Sequence, residues 1–326
     1  MKYLLVGTGN ISRTYIGAIA NIPGSEVVGC VSRSGRRPAV APDMPCWPTI
    51  TAAASAIDFD AVILTTPNGL HHEGATEAAA LGKHVLTEKP LDITLSNMDR
   101  MIAACEAAGV TLATAYQRRT NPDNLAIKRL MEAGAFGRVY AADLAAKFWR
   151  DQAYYDSGAY RGGWALDGGG PFIQQACHNI DYYLWLFGMP DKVVSELGTF
   201  AHDIETEDHG AALLRYANGM IGTIIGSTAA RPGFAARLEV HCERGSFVTL
   251  DDRIVTWEID GIPNPANTTD IYDDKGASSA AVADTSRHEA ILRDLEEAVR
   301  DGRPPLVTPQ QARQTTELIL RIYGRS

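Results

Sequence analysis

The first 120 residues alternate short apolar runs with stretches of helical periodicity, and this alternation limits the fold more than any other feature. Five apolar runs have the length of strands: YLLVG, EVVGCVS, AVILTT, HVLTE and VTLATAY. Helical patterns such as HHEGATEAAALG and LSNMDRMIAACEAAG lie between them. Strands that alternate with helices form a parallel sheet with helices on both faces. The sequence therefore predicts an α/β domain over residues 1–120.

After residue 120 the pattern changes, because strands follow strands. Four segments alternate apolar and polar residues: RVYAADLAAKFW, KVVSELGTFAH, GAALLRYANGMIGTIIGS and LEVHCERGSFVTL. In the third segment, Asn218-Gly219 predicts a two-residue hairpin turn. One helix, over 171–188, interrupts the strands. We expect residues 121–326 to form an α+β domain with a large, open, mostly antiparallel sheet.

The last part of the chain has two kinds of pattern. Residues 261–285 are rich in Asn, Asp, Ser, Ala and Pro without periodicity, which predicts a long mobile loop. Two amphipathic helices follow, near 286–300 and 309–322. We expect the last helix to be able to pack back on the first domain.

Composition excludes several classes of partner. The 326 residues are 45% hydrophobic and carry a formal charge of -9, so the chain can form two cores but has no electrostatic attraction for nucleic acid. The basic cluster of Arg33, Arg36 and Arg37 is too short to bind a duplex. No segment approaches the roughly 20 apolar residues of a membrane helix, and we interpret MKYLLVG as a strand instead of a signal. We expect a small-molecule partner, without nucleic acid or membrane.

The five cysteines form an odd, scattered set without C-x-x-C spacing. This pattern indicates neither a disulfide framework nor a zinc site. No His, Cys, Asp and Glu set has the spacing of metal ligands near the predicted site, so we expect no metal. We expect a reducing, cytoplasmic compartment.

A glycine-rich turn follows the first strand directly. It consists of Gly7, Thr8, Gly9, Asn10 and Ile11, with Ser12 as the third small residue. Glycines allow a tight turn and the close approach of a pyrophosphate to backbone N–H groups. In this strand-turn-helix context the motif predicts a Rossmann dinucleotide-binding domain, with a purely structural turn as the alternative.

The second strand ends without an acidic residue. NAD sites usually place Asp or Glu there to bind the ribose hydroxyls. This chain has CVSRSGRR, with Ser32 and Arg33 at the tip and Arg37 nearby. Hydroxyl and guanidinium groups suit a 2′-phosphate, so we predict a preference for NADP. NAD stays possible, because arginine can stack on adenine or can simply be solvated.

Two motifs, TTPNGLHH and TEKPL, occur at the ends of successive strands within 61–91. They resemble the signature of the glucose-fructose oxidoreductase/inositol dehydrogenase family (Gfo/Idh/MocA), and the resemblance extends along essentially the whole chain. It implies that Lys89 is the active-site lysine beside the nicotinamide ribose. The cofactor-binding residues implied by these motifs are Thr66, Pro67, Asn68, His71, Glu88 and Lys89.

The position of Lys89 agrees with this resemblance. Strand ends in a parallel sheet face the ligand crevice, where an ammonium group acts as a compact donor. The alternative is an exposed ion pair between Glu88 and Lys89. We expect His72 to be solvated, because adjacent residues of a helix point apart.

Residues 145–188 contain a glycine run followed by a helix with a histidine, and they resemble the second signature of the family. On a continuous helix Gln174, His178 and Asp181 fall at i, i+4 and i+7, on one face. The resemblance implies an active-site role for His178. The family commonly has Asp at the position of Gln174, and an amide cannot raise the pKa of the histidine as a carboxylate would. We expect a structural role for Asp181.

The loop YYDSGAYRGGW precedes the glycine run and is rich in aromatic residues. Aromatic faces with fixed polar donors suit a carbohydrate ring. The alternative is that these rings only pack against the sheet. The predicted substrate-binding residues are Lys89, Gln117, Tyr154, Arg161, Trp164, Gln174 and His178.

Together these features predict an NAD(P)-dependent oxidoreductase that acts on a secondary alcohol or ketone of a sugar, cyclitol or sugar derivative. His178 is the predicted general acid/base, because imidazole titrates near neutrality, and Lys89 is the predicted orienting donor. Two alternatives stay open: an NAD-dependent, redox-neutral glycosidase on the same fold, and a non-catalytic regulator that senses the cofactor. The resemblance also implies a homodimer or homotetramer.

Overall fold

The computed structural model describes residues 1–266 and 284–325, which form two compact units. The first unit comprises Met1–Gln117 and the described part of Val282–Thr316. The second comprises the described parts of Arg118–Ala281 and Glu317–Ser326. Most of the loop predicted over 261–285 lies outside the described residues. Within the described ranges, no helix is both long and apolar enough to cross a membrane.

The first unit contains a six-stranded, fully parallel sheet. Its strands are β1 (Lys2–Val6), β2 (Glu26–Val31), β3 (Cys46–Trp47), β4 (Ala61–Leu64), β5 (His84–Thr87) and β6 (Leu112–Thr114). Its helices are α1 (Asn10–Ala20), α2 (Ile50–Ala54), α3 (His71–Ala80), α4 (Leu95–Ala108) and α9 (Ser286–Asp301). The strand order, β3-β2-β1-β4-β5-β6, confirms the predicted Rossmann-like sheet and adds the two-residue β3.

The register of this sheet brings three strand ends to a common edge. Val6 of β1 pairs with Leu64 of β4, and Leu64 pairs with Thr87 of β5. The order of strands reverses between β1 and β4, and such sheets bind ligands outside the carboxyl ends of the strands at this point. The turns that begin at residues 7, 65 and 88 therefore start side by side where a ligand is expected.

The second unit contains a seven-stranded sheet in the order β13-β12-β11-β7-β10-β9-β8. Its strands are β7 (Val139–Lys147), β8 (Lys192–Gly198), β9 (His209–Arg215), β10 (Ile221–Ser227), β11 (Arg237–Cys242), β12 (Gly245–Leu250) and β13 (Arg253–Ile259). Its helices are α5 (Pro122–Glu132), α6 (Gln152–Asp156), α7 (Pro171–Gln174) and α8 (Cys177–Phe187), and the last helix, α10 (Pro309–Ile322), is divided between the units at Thr316. All neighbouring strands are antiparallel except β7 and β10, which confirms the predicted mostly antiparallel sheet.

The two faces of this sheet differ. Helices α7 and α8 pack against β10 and β7, and side chains on that face, such as Leu214 and Ile224, are completely buried. On the other face Val194 and Leu213 are paired across β8 and β9, and each is 52% exposed. The sheet therefore has one covered face and one open, partly apolar face.

The hairpin between β9 and β10 differs from the prediction of a two-residue turn. The backbone N–H of Tyr216 donates to the carbonyl of Met220 at 3.1 Å, which leaves three residues in the turn. Gly219 has a φ of +89° and donates its N–H to the Tyr216 carbonyl at 3.0 Å. The glycine occupies the left-handed position of a three-residue loop, so the predicted loop length was wrong by one.

Candidate active site

The glycine turn after β1 is shaped by Thr65. Gly7 has a φ of +103°, and a Cβ there would lie 2.7 Å from the carbonyl group of Thr65. The Thr65 hydroxyl donates to the Gly7 carbonyl at 2.9 Å, which fixes the turn to the end of β4. Only glycine fits this close approach. Sequence reasoning singled out Thr66 and missed Thr65.

The second glycine of the turn faces open space. A Cβ at Gly9 would meet no atom within 4 Å, and Gly9 is the N-cap of α1 without a side-chain cap. The Ser12 hydroxyl instead donates back to the Gly9 carbonyl at 2.7 Å. An uncapped helix N-terminus beside open space fits a pyrophosphate, because the amide groups and the helix dipole favour a negative charge.

A positive and a negative side chain lie together next to the end of β2. Arg33 forms an ion pair with Glu73 of α3, with the two side chains 77% and 46% exposed. Arg37 donates Nε to the Met44 carbonyl at 2.9 Å. The sequence shows no acid at the tip after Ser32, but folding brings Glu73 to Arg33 from 40 residues away. A carboxylate and a guanidinium therefore lie together at the position where such folds bind the adenosine ribose.

His71 connects the two motifs of the first signature. It is fully buried, with Nδ1 2.9 Å from the Pro90 carbonyl and Nε2 3.1 Å from the Thr66 carbonyl. Burial lowers the pKa of His71, although both carbonyls act in the opposite direction. Its ring fastens the turn at Thr66, Pro67 and Asn68 to the turn at Lys89. The contacts of both ring nitrogens are therefore with the backbone of these two turns.

Glu88 is fixed by two helices. Its Oε1 accepts from the Tyr15 hydroxyl of α1 at 2.7 Å, and its Oε2 accepts from the Lys89 backbone N–H at 3.2 Å. His288 of α9 brings Nε2 to 3.9 Å from Oε1 and packs its ring edge-on against Tyr15. Burial raises the pKa of Tyr15 and lowers that of His288, so the phenol stays a neutral donor. The Glu88 side chain is 12% exposed, unlike that of a surface ion pair.

Asp92 anchors the end of the same turn and corrects the expectation for His72. The Nδ1 of His72 lies 3.0 Å from Oδ2 of Asp92, and the His72 side chain is 17% exposed. The other oxygen of Asp92 accepts from the backbone of Ile93 at 2.7 Å and from the amide of Asn97 at 3.0 Å. His72 is therefore an internal partner of Asp92 and not a solvated residue.

In the second unit, two residues, Tyr323 and Glu207, explain two glycines of the run. A Cβ at Gly169 would lie 2.4 Å from the Tyr323 hydroxyl oxygen, and one at Gly170 would lie 1.9 Å from the Glu207 carbonyl oxygen. The carboxylate of Glu207 accepts from the Gly170 N–H at 3.0 Å and from the Tyr323 hydroxyl at 2.8 Å. Gly169 and Gly170 have no room for a side chain because Tyr323 and Glu207 lie against their backbone, and Glu207 also fixes Gly170 by a hydrogen bond.

Glu207 gives this unit a predictable pH dependence. Burial raises the pKa of Glu207 to about 7 from 4.5. A carboxyl whose pKa is raised by folding stabilises the fold fully below its unfolded pKa, and this contribution is lost as pH rises towards 7. The shift corresponds to about 3 kcal/mol.

Urea titrations of wild type and Glu207→Gln test this pH dependence. The quantity compared is the unfolding free energy of wild type minus that of the variant, and we expect this difference to fall by about 3 kcal/mol between pH 4.5 and 7.5. A pH-independent difference would contradict the buried, protonated carboxyl.

The helix predicted after the glycine run is interrupted between α7 and α8. The carbonyl of Pro171 accepts from the N–H of Gln175 at 3.1 Å and from that of Ala176 at 2.8 Å. The second bond spans five residues instead of four, so the turn widens and α8 begins a new register. The predicted alignment of Gln174 with His178 on one continuous helix was therefore wrong.

The polar residues of this segment have distinct partners. The Gln174 amide donates to the Asp167 carbonyl at 2.9 Å. Asp181 forms a bidentate ion pair with Arg119, with N–O distances of 2.8 and 2.7 Å and both side chains almost fully buried. This pair agrees with the structural role expected for Asp181. His178 lies at the start of α8 and is half-buried.

The aromatic loop packs partly on itself. Arg161 places its guanidinium carbon 4.4 Å from the centre of the Tyr154 ring. Trp164 carries the guanidinium of Arg325 at 3.7 Å and contacts the Tyr323 ring edge-on. These contacts are with arginines and with another ring, so the alternative that the rings only pack against the sheet stays untested by them.

The predicted site residues form two sets. The first unit brings to one sheet edge the turns at Gly7, Thr66 and Lys89, and Gln117 begins the short helical turn Gln117–Thr120 after β6. The second unit joins Tyr154, Arg161, Trp164, Gln174 and His178 to the loop and glycine run. Among the residues that the structure describes, no group of three or more His, Cys, Asp or Glu could hold a metal.

The chain matches two family models. Residues 1–116 match the oxidoreductase family model with an NAD-binding Rossmann fold, and residues 124–248 match the GFO/IDH/MocA C-terminal domain. The uncharacterized oxidoreductase YdgJ of Escherichia coli is 30% identical over 254 residues, which is 75% of this chain and 69% of that protein. The scyllo-inositol 2-dehydrogenase (NADP(+)) IolW of Bacillus subtilis is 29% identical over 193 residues, or 58% of this chain and 51% of that protein.

Solved structures agree with these matches. The WlbA dehydrogenase from Bordetella pertussis, in complex with NADH and UDP-GlcNAcA, has a TM-score of 0.86 and 29% identity. The alignment covers all of this chain and 95% of that one. The chain therefore belongs to the Gfo/Idh/MocA family of oxidoreductases and is a dehydrogenase or reductase with an NAD-binding Rossmann domain.

Proposed function

We propose that the protein transfers a hydride between NAD(P) and a secondary alcohol or ketone of a sugar, cyclitol or sugar derivative. One observation carries the proposal: the open glycine turn after β1 and the Lys89 turn after β5 start from the two strands that flank β4, at the edge where this fold binds dinucleotides. IolW is named for scyllo-inositol, and the WlbA structure holds a sugar nucleotide. Both support a ring with oxidisable hydroxyls as the substrate.

The residues of the first unit fit the cofactor. Gly7, Thr8, Gly9, Asn10 and Ile11 would hold the pyrophosphate at the N-terminus of α1. Thr66, Pro67, Asn68 and Glu88 would line the nicotinamide end, with His71 fixing the turns. When bound, NAD(P) supplies or accepts the hydride. Glu88, held by Tyr15, suits the hydroxyls of a ribose because a carboxylate accepts hydrogen bonds from them.

Lys89 and His178 would carry the proton chemistry. We assign Lys89 to hold the substrate oxygen and to stabilise negative charge that develops on it. We assign His178 to take the hydroxyl proton during oxidation and to return it during reduction. Tyr154, Arg161, Trp164, Gln174 and Gln117 would orient the ring. Gln174 also secures the glycine run through Asp167, so it holds the segment that leads to His178.

A panel of sugars and cyclitols, assayed with both cofactors, tests the function. Net formation of NADH or NADPH from an alcohol substrate, followed by absorbance, is the expected result. Release of a glycosidic leaving group without net reduction would favour a redox-neutral glycosidase. Cofactor binding without any turnover would favour a regulator.

We infer a preference for NADP, which the Arg33–Glu73 ion pair should limit. Arg33 suits a 2′-phosphate, but Glu73 neutralises it and repels phosphate. We expect Arg33→Ala to lower kcat/KM with NADP about tenfold more than with NAD, and Glu73→Gln to change the ratio in the opposite direction. The measurement is kcat/KM for both cofactors in each variant. An equal loss with both cofactors would remove the phosphate interpretation.

We also propose a homodimer or homotetramer joined through the open face of the second sheet. Val194, Leu213 and Ile221 on this face are 52%, 52% and 44% exposed. Apolar side chains that are contiguous and exposed commonly mark protein interfaces. Light scattering of wild type and Leu213→Asp distinguishes an oligomer from a monomer.

We infer a reducing, cytoplasmic location from the cysteines. All five, Cys30, Cys46, Cys105, Cys177 and Cys242, are free thiols. Disulfides are rare in the cytosol and common in secreted proteins. Fractionation of the native host tests this location.

A further inference from the structure

Several arginines of the second unit lie on aromatic rings. Three such contacts are on rings of the loop before the glycine run, and the fourth is on Trp149, which precedes it. They are Arg161 on Tyr154 at 4.4 Å, Arg150 on Tyr154 at 5.7 Å, Arg325 on Trp164 at 3.7 Å and Arg231 on Trp149 at 5.5 Å. We call the four arginines, Arg150, Arg161, Arg231 and Arg325, the arginine cluster. The chain as a whole has a charge of -9, so this cluster is a local exception.

Three carboxylates bind backbone groups in or beside this loop. Asp151 accepts from the Tyr154 backbone N–H at 2.9 Å, and Asp167 accepts from that of Gly162 at 2.9 Å. Glu205 accepts from the Trp164 backbone N–H at 3.0 Å. Each of these three acids therefore accepts a hydrogen bond from the backbone.

Arg161 is the residue of the arginine cluster that most clearly lacks a polar partner. Among residues 1–266 and 284–325, no carboxylate lies within ion-pair distance of its guanidinium, and its buried Nε has no hydrogen-bond partner. A buried donor without a partner is unfavourable. The flat guanidinium is held against Tyr154, and its donors match a carboxylate or phosphate geometrically.

Two short connections link Arg161 to the segment that carries His178. The ring of Tyr154 supports Arg161, and its hydroxyl accepts from the Gln175 amide at 3.1 Å. Gly162, the next residue, binds Asp167, whose carbonyl accepts from Gln174 at 2.9 Å. Arg161 is therefore fixed relative to residues 174–175, just before His178.

We propose that the substrate carries an anionic group, a carboxylate or a phosphate, and that Arg161 binds this group. The proposal rests on the proposed oxidoreductase function and narrows its substrate class to acidic or phosphorylated sugars. The proposed reaction is unchanged: the carbinol would lose its C–H hydride to the oxidised cofactor and its hydroxyl proton to the base, and its C–O bond would become the C=O bond of a carbonyl. The anionic group takes no part in this step and serves to orient the ring.

The experiment compares matched ligands on the NADH- or NADPH-loaded enzyme. Glucuronate and glucose 6-phosphate are measured against glucose, and UDP-glucuronate separates a nucleotide-linked acid from a free one. Dissociation constants come from calorimetry on this complex. KM and kcat come from separate assays started with NAD+ or NADP+, in which formation of the reduced nicotinamide is followed by absorbance. We expect at least one anion to bind about tenfold or more tightly than glucose, and 0.5 M NaCl to weaken its binding.

Variants separate charge from packing. Arg161→Met keeps an apolar stem on Tyr154 and should raise the KM of the anionic substrate about 10- to 100-fold, far more than it lowers kcat. Arg161→Lys keeps the charge without the fork and should give an intermediate KM. Arg300→Met, which removes an exposed arginine from α9, is the control and should leave KM unchanged.

The outcomes distinguish this inference from the function itself. If neutral rings bind as tightly as anions, or if Arg161→Met affects neutral and anionic ligands equally, the inference is wrong although the enzyme can still be a dehydrogenase. If no panel compound is turned over, the dissociation constants still decide the inference. If wild type binds neither NADH nor NADPH, the proposed function is wrong.

Discussion

Lys89→Met is expected to lower kcat by at least about 10²-fold. The residue follows β5 directly, in a turn that Glu88 and Pro90 fix to α1, α9 and His71. Because that turn is rigid, a donor held there needs little reorganisation when charge develops on the substrate oxygen. Loss of one such donor commonly lowers kcat about 10²- to 10³-fold. The measurement is kcat with the best compound of the panel, together with the dissociation constant of NADPH.

Two variants make this test specific. Lys2→Met removes a lysine from the opposite, amino end of the sheet and should keep wild-type kcat. His178→Asn keeps a hydrogen-bonding group but cannot take up a proton, so it should also lower kcat at least about 10²-fold. A Lys89→Met enzyme that retains more than a tenth of wild-type kcat would contradict the role assigned to Lys89.

The fold was predictable because its signals are local. Alternating strands and helices, the glycine turn and the change to consecutive strands near residue 120 each lie within short stretches of sequence. Local patterns of this kind fix the type and order of elements. They do not fix hydrogen-bond choices within a turn, which explains two errors. Pro171 offers its carbonyl to two amides, and Gly219 takes a left-handed conformation in a longer loop than expected.

The candidate site was predictable only where a motif carries the chemistry. Lys89, Gly7 and Gly9 belong to short motifs with recognisable spacing. Tyr15 and His288 hold Glu88 from helices at opposite ends of the chain, and neither has a local signal. The same holds for Glu73, which reaches Arg33 only after folding. Partners that meet through tertiary packing could not be predicted from one sequence.

Arg119→Met is expected to destabilise the second unit by about 3–5 kcal/mol. The variant leaves the Asp181 carboxylate buried without the guanidinium that it now binds through two hydrogen bonds. Removing one partner of a buried ion pair has an effect of this size, because the other charge stays buried. The unfolding transition of the second unit should therefore shift down by roughly 10 °C in calorimetry.

The double variant Arg119→Met/Asp181→Leu shows whether the pair is structural. It removes both charges and keeps apolar volume beside Trp185, which packs against Arg119, so at least half of the lost stability should return. If Asp181 only pairs with Arg119, kcat of the double variant should stay within a few-fold of wild type. If Asp181 instead contacts the substrate, the double variant would regain stability but not activity. The single and double variants should therefore differ in stability. If they are equally stable, the buried-charge explanation is wrong, because it requires stability to return when the second charge is removed.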